Sequence, residues 1–169
     1  MVEGVISHPH VTAITLTGSE EAGSKCASAA AKDIKKSVLE LGGADPFIVL
    51  DDADLDLAVK TAVSARMINQ GQSCIAAKRF VLMRSIEEPF TTALKAAFES
   101  LRFGDPTDPS TDVGPLARKD LVEEIHRQVV DSINAGARLI PGGVKPDFPG
   151  YYYSPTILAG VKAGMPVYS

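Results

Sequence analysis

The sequence predicts an α/β fold in which a layered, mainly parallel sheet is flanked by helices. Short β-branched segments alternate along the chain with longer segments whose apolar residues recur at helical spacing. Turn residues separate the two kinds of segment, and no internal repeat interrupts the alternation. The chain has 169 residues, of which 45% are hydrophobic and 22% charged, so it is long and apolar enough to bury a core.

The first part of the chain predicts a strand, a helix and two further strands. Residues 11–16 are β-branched and predict the first strand, and an Ala-rich segment at about 20–32 predicts the helix after it. Ser19 is a good N-cap for this helix because its hydroxyl can accept a hydrogen bond from the first turn. Residues 37–41 and 47–50 predict the second and third strands.

A second helix is predicted from one of the N-cap residues at 51–54 to about Asn69. Gly71 lies where a helix C-terminal glycine is expected. The apolar side of this helix carries Leu55, Ala58, Val59, Ala62 and Val63.

The second part of the chain predicts two more strands and two more helices. A strand is expected over 79–83, followed by a helix that Pro89 opens. A polar loop at 104–115 precedes a helix that ends near Gly136, and 151–153 resembles a strand. The apolar stripes of the two helices are Phe90, Leu94, Phe98 and Leu101, and Leu121, Ile125, Val129 and Ile133.

Charge and cysteine content exclude several classes of protein. The 17 basic and 21 acidic residues give a net charge of −4, which disfavours a nucleic-acid or anionic-membrane surface. The longest strongly apolar run, at 47–50, is too short to span a bilayer, and no signal peptide is visible in 1–10. The two cysteines lie far apart without a Cys/His cluster, so we expect no structural zinc, no disulfide framework and a cytoplasmic location.

Cys74 is the first candidate for chemistry. It ends the segment NQGQSC at 69–74, so it is expected on the loop that follows the second helix. A thiolate is an intrinsically good nucleophile, although a lone cysteine is more often a small buried hydrophobe. Cys26 is the contrast, because it shares a helix face with Ala22, Ala29 and Ala30 and is expected to pack in a core.

Glu40 and the turn at 17–19 are the other candidates. Glu40 lies between two leucines and before a Gly-Gly pair, where an apolar setting would suit a general base. A solvated glutamate on an edge strand is the alternative. The sequence TGS at 17–19 could hold a phosphate at a helix start, although it lacks the GxGxxG pattern and a plain capped helix is equally compatible.

The histidines give no further site. His8 and His10 flank a proline near the start of the chain, and His126 lies in a charged helix, so all three are expected on the solvated surface. No metal site is predicted. A cysteine hydrolase would need a histidine partner for the thiol, and none of the three has a suggestive context.

Several of these segments occur with others in a recognisable order, which begins with TGS at 17–19, LELGGADP at 39–46 and NQGQSC at 69–74. Taken together, they resemble the aldehyde dehydrogenase superfamily. The spacing of Glu40 and Cys74 is similar to that of the general base and the nucleophile in this family. The sequences LELGGADPFIVLDDADL at 39–55 and CIAAKRF at 74–80 are most similar to those of the bacterial succinate-semialdehyde dehydrogenase branch. The motifs that carry the resemblance are TGS at 17–19, LELGGADP at 39–46, NQGQSC at 69–74, GDP at 104–106, VGPL at 113–116, and GAR at 136–138 through the Gly-Gly at 142–143.

The resemblance implies a reaction and a set of roles. The Cys74 thiolate would attack an aldehyde to form a thiohemiacetal, whose oxyanion is held partly by the Cys74 backbone N–H. A hydride would pass to NAD or NADP and leave a thioester, and Glu40 would deprotonate the water that releases the acid. Gly18 and Ser19 would lie on the cofactor side, with the Leu41 backbone near the nicotinamide.

The resemblance also implies specificity elements and a domain division. Ser73 and Ile75 would shape the aldehyde channel. Ala44 stands where a lysine is common in the family, which supports the branch assignment. Residues 1–41 would be the C-terminal part of the NAD(P)-binding domain, and 42–169 a catalytic domain that is incomplete at its C-terminus.

The chain is therefore expected to be an internal fragment of a longer enzyme and to be inactive alone. The longer enzyme would act on a small aldehyde, possess neither a nucleic-acid nor a membrane partner, and form a homodimer or homotetramer. The alternative from another class is a non-catalytic interaction module derived from a dehydrogenase, or an inert truncated product.

Overall fold

The computed structural model describes residues 2–168, which divide into two compact units. The first unit ends at Gly43 and the second begins at Ala44. Helices and parallel strands alternate within each of them, as the sequence predicts for an α/β fold.

The first unit is one parallel strand pair with two helices. Its elements are α1 (Val2–Ile6), β1 (Ala13–Thr17), α2 (Glu20–Lys32) and β2 (Lys36–Glu40). The predicted cap is confirmed, because the Ser19 hydroxyl accepts a hydrogen bond from the Ala22 amide at 3.2 Å. Strands β1 and β2 are parallel, with Thr17 opposite Glu40, so their carboxyl ends lie at the same edge.

The second unit contains the remaining elements. Strands β3 and β4 are parallel, with Pro46 opposite Arg79, and β5 and β6 form a short antiparallel pair. Helix α3 begins after Asp54, whose carboxylate accepts a hydrogen bond from the Leu57 amide at 3.0 Å. The elements are β3 (Pro46–Val49), α3 (Leu55–Met67), a 3₁₀ turn (Ile68–Gly71), β4 (Arg79–Leu82), α4 (Glu87–Glu99), α5 (Lys119–Asn134), β5 (Arg138–Leu139), β6 (Leu158–Ala159) and a second 3₁₀ turn (Pro166–Tyr168).

The main core of the second unit lies where α3 and α4 pack on β3. The apolar stripes predicted for both helices face it, and Phe90 is only 1% exposed. A smaller cluster between α5 and the segment that joins β5 to β6 contains Val122, Val129 and Tyr153. The buried members of the main core are Val49, Val59, Ala62, Ile86, Phe90, Leu94 and Phe98.

Two predicted helix boundaries are wrong by two residues. Helix α3 ends at Met67 rather than at about Asn69, because Asn69 and Gln70 adopt left-handed backbone angles that no α-helix contains. Helix α4 begins at Glu87 instead of Pro89. A proline is tolerated there because the amides of a first helical turn have no intrahelical acceptor.

The strand expected at 151–153 is also wrong. These residues form an irregular segment in which Tyr152 and Tyr153 are buried. The Tyr152 hydroxyl donates to the carbonyl of Gly104 at 2.8 Å, and the Leu116 amide donates to the carbonyl of Tyr151 at 2.7 Å, so hydrogen bonds to other loops and not a strand ladder hold the segment. The short elements α1, β5 and β6 are not predicted from the sequence, because two to five residues carry too little periodicity.

None of the helices within residues 2–168 combines the length and the apolar content that crossing a bilayer requires.

Candidate active site

Cys74 lies on a loop that begins with an unusual turn at the end of α3. Asn69, Gln70 and Gly71 have φ values of 49°, 54° and 78°, so three successive residues are in the left-handed region. Glycine adopts this conformation freely, whereas other residues pay about 1–2 kcal/mol each. Strain of this kind persists only where the surrounding structure holds it, and it is common at functional sites.

Hydrogen bonds hold the turn to the rest of the second unit. The Gln72 amide donates to the carbonyl of Asn69 at 3.0 Å, which closes the turn. The side-chain oxygen of Gln72 accepts from the Ala117 amide at 3.0 Å, in the segment that leads into α5. Gln72 therefore links the start of the Cys74 loop to a distant part of the chain.

The far end of the loop is held on α3. Ala76 and Ala77 are buried, and the Ala77 amide donates to the carbonyl of Ala65 at 3.1 Å. The guanidinium of Arg66 donates to the Ala77 carbonyl at 3.3 Å. The segment that carries Cys74 thus begins just after α3 and returns to the same helix at Ala77.

Cys74 itself is a half-buried free thiol. Its backbone amide donates no hydrogen bond to the part of the chain that the structure describes. Of its neighbours, Ser73 is half-buried and Ile75 is 65% exposed. Cys74 therefore lies on a surface loop with an available amide donor, and it is not enclosed in a core.

Cys26 is placed as the sequence predicts. It is half-buried on α2 and packs against the core of the first unit, which consists of Ile6, Ala29 and Ala30. The two free thiols therefore lie in different settings, one within a regular helix and one on a strained loop.

The first unit brings four of the predicted site residues to one edge. Gly18 and Ser19 follow β1, and Glu40 and Leu41 end or follow β2, so the parallel register brings them together. The Gly18 amide donates to the Glu40 carbonyl at 3.0 Å. Ligands of open α/β sheets bind outside the carboxyl ends of the strands, which is the edge these residues occupy.

Leu41 is positioned by its packing on α2. A Cβ atom at Gly23 would lie 2.7 Å from Leu41 Cδ2, so the leucine occupies the space that the missing side chain leaves. Gly23 is buried and Leu41 half-buried. The packing of Leu41 in this position depends on the glycine.

Glu40 differs from expectation in one respect. Its side chain is exposed, so the predicted apolar setting is absent from this structure. The reason is that adjacent residues of a strand face opposite sides of the sheet. The half-buried Leu39 therefore faces away from the Glu40 side chain and does not shield it from solvent.

None of the side-chain contacts of the three histidines within the described residues includes a residue of the Cys74 loop. His8 and His10 contact each other, with ring centroids 5.3 Å apart. His126 is half-buried rather than solvated, because its Nδ1 lies 3.2 Å from the Tyr153 hydroxyl. Burial raises the pKa of Tyr153 to about 12. Among residues 2–168, no group of His, Cys, Asp and Glu side chains could hold a metal ion.

Sequence reasoning missed Arg66 and Gln72 as supports of the Cys74 loop. One signal for Arg66 exists: it lies four positions after the buried Ala62, so it continues the apolar face of α3. Burial lowers the pKa of this guanidinium. No comparable signal exists for Gln72, because its partner Ala117 is distant in the sequence.

Comparison with known proteins identifies the family to which the chain belongs. A model of the aldehyde dehydrogenase family matches residues 1–169. A probable succinate-semialdehyde dehydrogenase [NADP(+)] of Synechocystis is 54% identical over 164 residues, which cover 97% of this chain and 36% of the relative. The succinate-semialdehyde dehydrogenase [NADP(+)] of Mycobacterium avium is 51% identical over 168 residues, covering 99% of this chain and 36% of the relative.

A solved structure is similar over the same extent. The succinic semialdehyde dehydrogenase of Streptococcus pyogenes, in complex with NADP+, superimposes with a TM-score of 0.94 at 39% identity. The match covers 99% of this chain and 37% of that one. The chain thus spans only about a third of the length of these relatives. On the family match and these identities, the chain belongs to the aldehyde dehydrogenase family.

Proposed function

We propose that this chain supplies the nucleophile and the general base of an aldehyde dehydrogenase that oxidises an aldehyde to its carboxylic acid. Cys74 is the nucleophile and Glu40 the base. In this proposal, residues 1–41 belong to the cofactor domain and 42–169 to the catalytic domain. The observation that carries the proposal is the Cys74 loop, a strained segment held at both ends with a thiol at its centre.

The setting of Cys74 supports its role as nucleophile. A thiolate that attacks an aldehyde carbon turns the carbonyl oxygen into an oxyanion. The Cys74 amide has no acceptor within residues 2–168, so it is free to donate to that oxygen. An N–H held in advance at such a position stabilises developing charge without reorganisation.

The setting of Glu40 supports its role in the second half of the reaction. The thioester left on Cys74 must be hydrolysed, and a carboxylate that takes a proton from water promotes this step. Glu40 ends β2 and is exposed, so its carboxylate is accessible to water. Its backbone is fixed by the hydrogen bond from Gly18, although its side chain is free to reorient.

Gly18, Ser19 and Leu41 would hold the cofactor. The site suits a dinucleotide in one structural respect, because two strand carboxyl ends and the start of α2 meet there. Gly18 contributes no side chain, and a Cβ there would find no atom nearer than 3.9 Å, so a ligand can approach its backbone. When bound, an oxidised nicotinamide accepts the hydride that the aldehyde carbon loses. The relatives support NADP over NAD as the cofactor.

Succinate semialdehyde is the proposed substrate, on the names of the relatives. The exposed Ile75 and the half-buried Ser73 flank the nucleophile and would line the aldehyde channel. We further propose that the longer enzyme is a cytoplasmic homodimer or homotetramer.

The decisive experiment uses a full-length enzyme that contains this segment. Cys74→Ser is expected to lower kcat by about 10⁴-fold or more, because removing a nucleophile leaves only binding and electrostatic effects. Cys26→Ser is the matched control and should retain activity within about threefold, since Cys26 packs on a regular helix against the core of the first unit. Equal activity of both variants would reject Cys74 as the nucleophile.

Glu40→Gln separates the base from the nucleophile. We expect it to retain a single-turnover burst of reduced cofactor and to lower steady-state turnover by about 10²–10⁴-fold, because only the hydrolytic step needs the base. Loss of the burst together with turnover would assign Glu40 a different role.

The 169-residue chain by itself is proposed to be inactive, because it spans about 36% of its relatives. Purified chain incubated with succinate semialdehyde and NADP should produce no NADPH absorbance. A substantial aldehyde-dependent signal would contradict the proposal, whereas a stable fold without turnover would also suit an interaction module. The Cys74→Ser experiment distinguishes these two.

A further inference from the structure

We propose that Arg66 is a positioning residue that holds the Cys74 loop in its strained conformation. Arg66 lies in the last turn of α3, two residues before the 3₁₀ turn begins. Arginine in such a place is usually a solvated residue that complements the helix dipole. Here it is half-buried and points back against the loop that follows.

The guanidinium touches the loop near both of its ends. At the near end, a Cβ atom built at Gly71 would lie 2.5 Å from Arg66 Nη2 and 2.8 Å from Cζ, so the guanidinium packs directly on the glycine backbone. At the far end, Arg66 Nη1 donates to the carbonyl of Ala77 at 3.3 Å. One side chain therefore spans the segment that has Cys74 at its middle.

The charge of Arg66 does not stabilise the fold through an ion pair. No carboxylate lies within ion-pair distance of Arg66 in the part of the chain that the structure describes. Burying a cation without an anion is costly, and burial lowers the pKa of this group accordingly. An apolar residue at this position of α3 would pack without that cost.

The same contact explains why Gly71 is required. Its φ of 78° already favours glycine, and the guanidinium occupies the space of a side chain. Asn69 and Gln70 have Cβ atoms and remain in the left-handed region. Such a run persists only when other contacts over-determine it, and the Arg66 contacts supply this at the base of the loop.

This inference rests on the proposed function only in calling Cys74 the nucleophile. The conformational stability of the loop is measurable without turnover, so the role of Arg66 and the proposed function can be disproved separately. The readout is the alkylation rate of Cys74 by iodoacetamide in the 169-residue chain, with Cys26 as an internal reference measured by peptide mass spectrometry. Because Cys26 lies in the first unit, hydrogen exchange of the α4 amides serves as the reference for the stability of the second unit. A loss of stability would accelerate Cys26 or the α4 amides together with Cys74, whereas loss of positioning would affect only Cys74 and the 71–77 amides.

Arg66→Met keeps the length of the side chain and removes the donor. We expect Cys74 alkylation to become about fivefold faster, the change that corresponds to one lost hydrogen bond, with the Cys26 rate unchanged within about twofold. Hydrogen exchange of the 71–77 amides should accelerate with it. Lys60→Met is the matched control, because Lys60 is exposed on the same helix, and it should change neither rate.

Arg66→Lys keeps the charge without the planar fork, so it should give an intermediate rate. It also provides the test if the methionine variant does not fold.

A second test is the pair Arg66→Ala and Gly71→Ala: the effect of Gly71→Ala on the thermal midpoint should be smaller when Arg66 is already alanine. The proposal is overturned if Cys26 or the α4 amides accelerate together with Cys74, if the Cys74 rate does not change, or if the two substitutions are additive.

Discussion

The two units support their candidate site residues in different ways. The first unit has a core of one isoleucine and two alanines, Ile6, Ala29 and Ala30, beneath a single pair of strands. The second has a main core of seven buried residues, four of them large, around Phe90. Gly18, Ser19, Glu40 and Leu41 thus lie at an edge with a small core, whereas Cys74 lies on a loop hydrogen-bonded to α3, which packs in the larger core.

The difference corresponds to the two tasks proposed above. A nucleophile must be held within a fraction of an ångström of its productive position, so strain and rigid support are useful there. A cofactor edge must admit a ligand and release it, and low local stability suits that task. Hydrogen exchange of the α2 amides is expected to precede that of α3 and α4.

The largest expected effect is loss of the main core of the second unit. Phe90→Ala should lower the free energy of unfolding by about 3–5 kcal/mol, because Phe90 is buried and its removal leaves a cavity. The corresponding change in the first unit, Ile6→Ala, should cost about 2 kcal/mol, since fewer large side chains surround it. Urea unfolding of the two variants measures both. A larger loss for Ile6→Ala would reverse the comparison.

The second effect depends on pH and lies in the smaller cluster of the second unit. Burial raises the pKa of Tyr153 to about 12 from its ordinary value of 10.0. The folded state therefore holds the phenol proton more tightly than the unfolded state. The resulting stability is complete below about pH 10 and is lost as pH rises through about 12, by about 2 kcal/mol.

Tyr153→Phe removes this titration. At neutral pH the variant should have a lower free energy of unfolding than the original chain, because the contact with His126 is lost. This difference should shrink between about pH 10 and 12, where the original chain loses stability. Denaturant unfolding at several pH values measures the difference. If the free energies of unfolding of the two proteins changed in parallel across this range, the fold would not raise the pKa of Tyr153.

The smallest effect tests the edge of the first unit that is proposed to hold the cofactor. Gly23→Ala should destabilise the chain by about 1 kcal/mol, because overpacking against Leu41 outweighs the gain in helix propensity. Gly4→Ala is the matched control: it is also helical, has no atom within 4 Å of its Cβ, and should stabilise by up to about 1 kcal/mol. Thermal midpoints compare the two. Equal effects would mean that Leu41 does not depend on the glycine.

Much of the fold was predictable from local chemistry. The Ser19 cap, the alternation of strands with helices, and the stripes that bury Phe90, Leu94 and Phe98 all follow from residue type and spacing. The errors occur where packing overrides local preference. Tyr152 and Tyr153 have high β-propensity, yet they anchor an irregular segment because their rings and hydroxyls find partners elsewhere.

The candidate site was predictable in part. The motifs predict Cys74, Glu40 and the Gly18–Ser19 turn as site residues, and the parallel register places the last two at one edge. The exposure of Glu40 was not predictable from its leucine neighbours, because adjacent residues of a strand face opposite sides.

The sequence by itself determined which residues can do chemistry and which family the chain resembles, because residue type and spacing along the backbone are local properties. Only the tertiary structure decided that Arg66 folds back across the Cys74 loop and that Gln72 joins the segment before α5. Such contacts join parts of the chain whose proximity depends on how helices pack, and no local pattern encodes that.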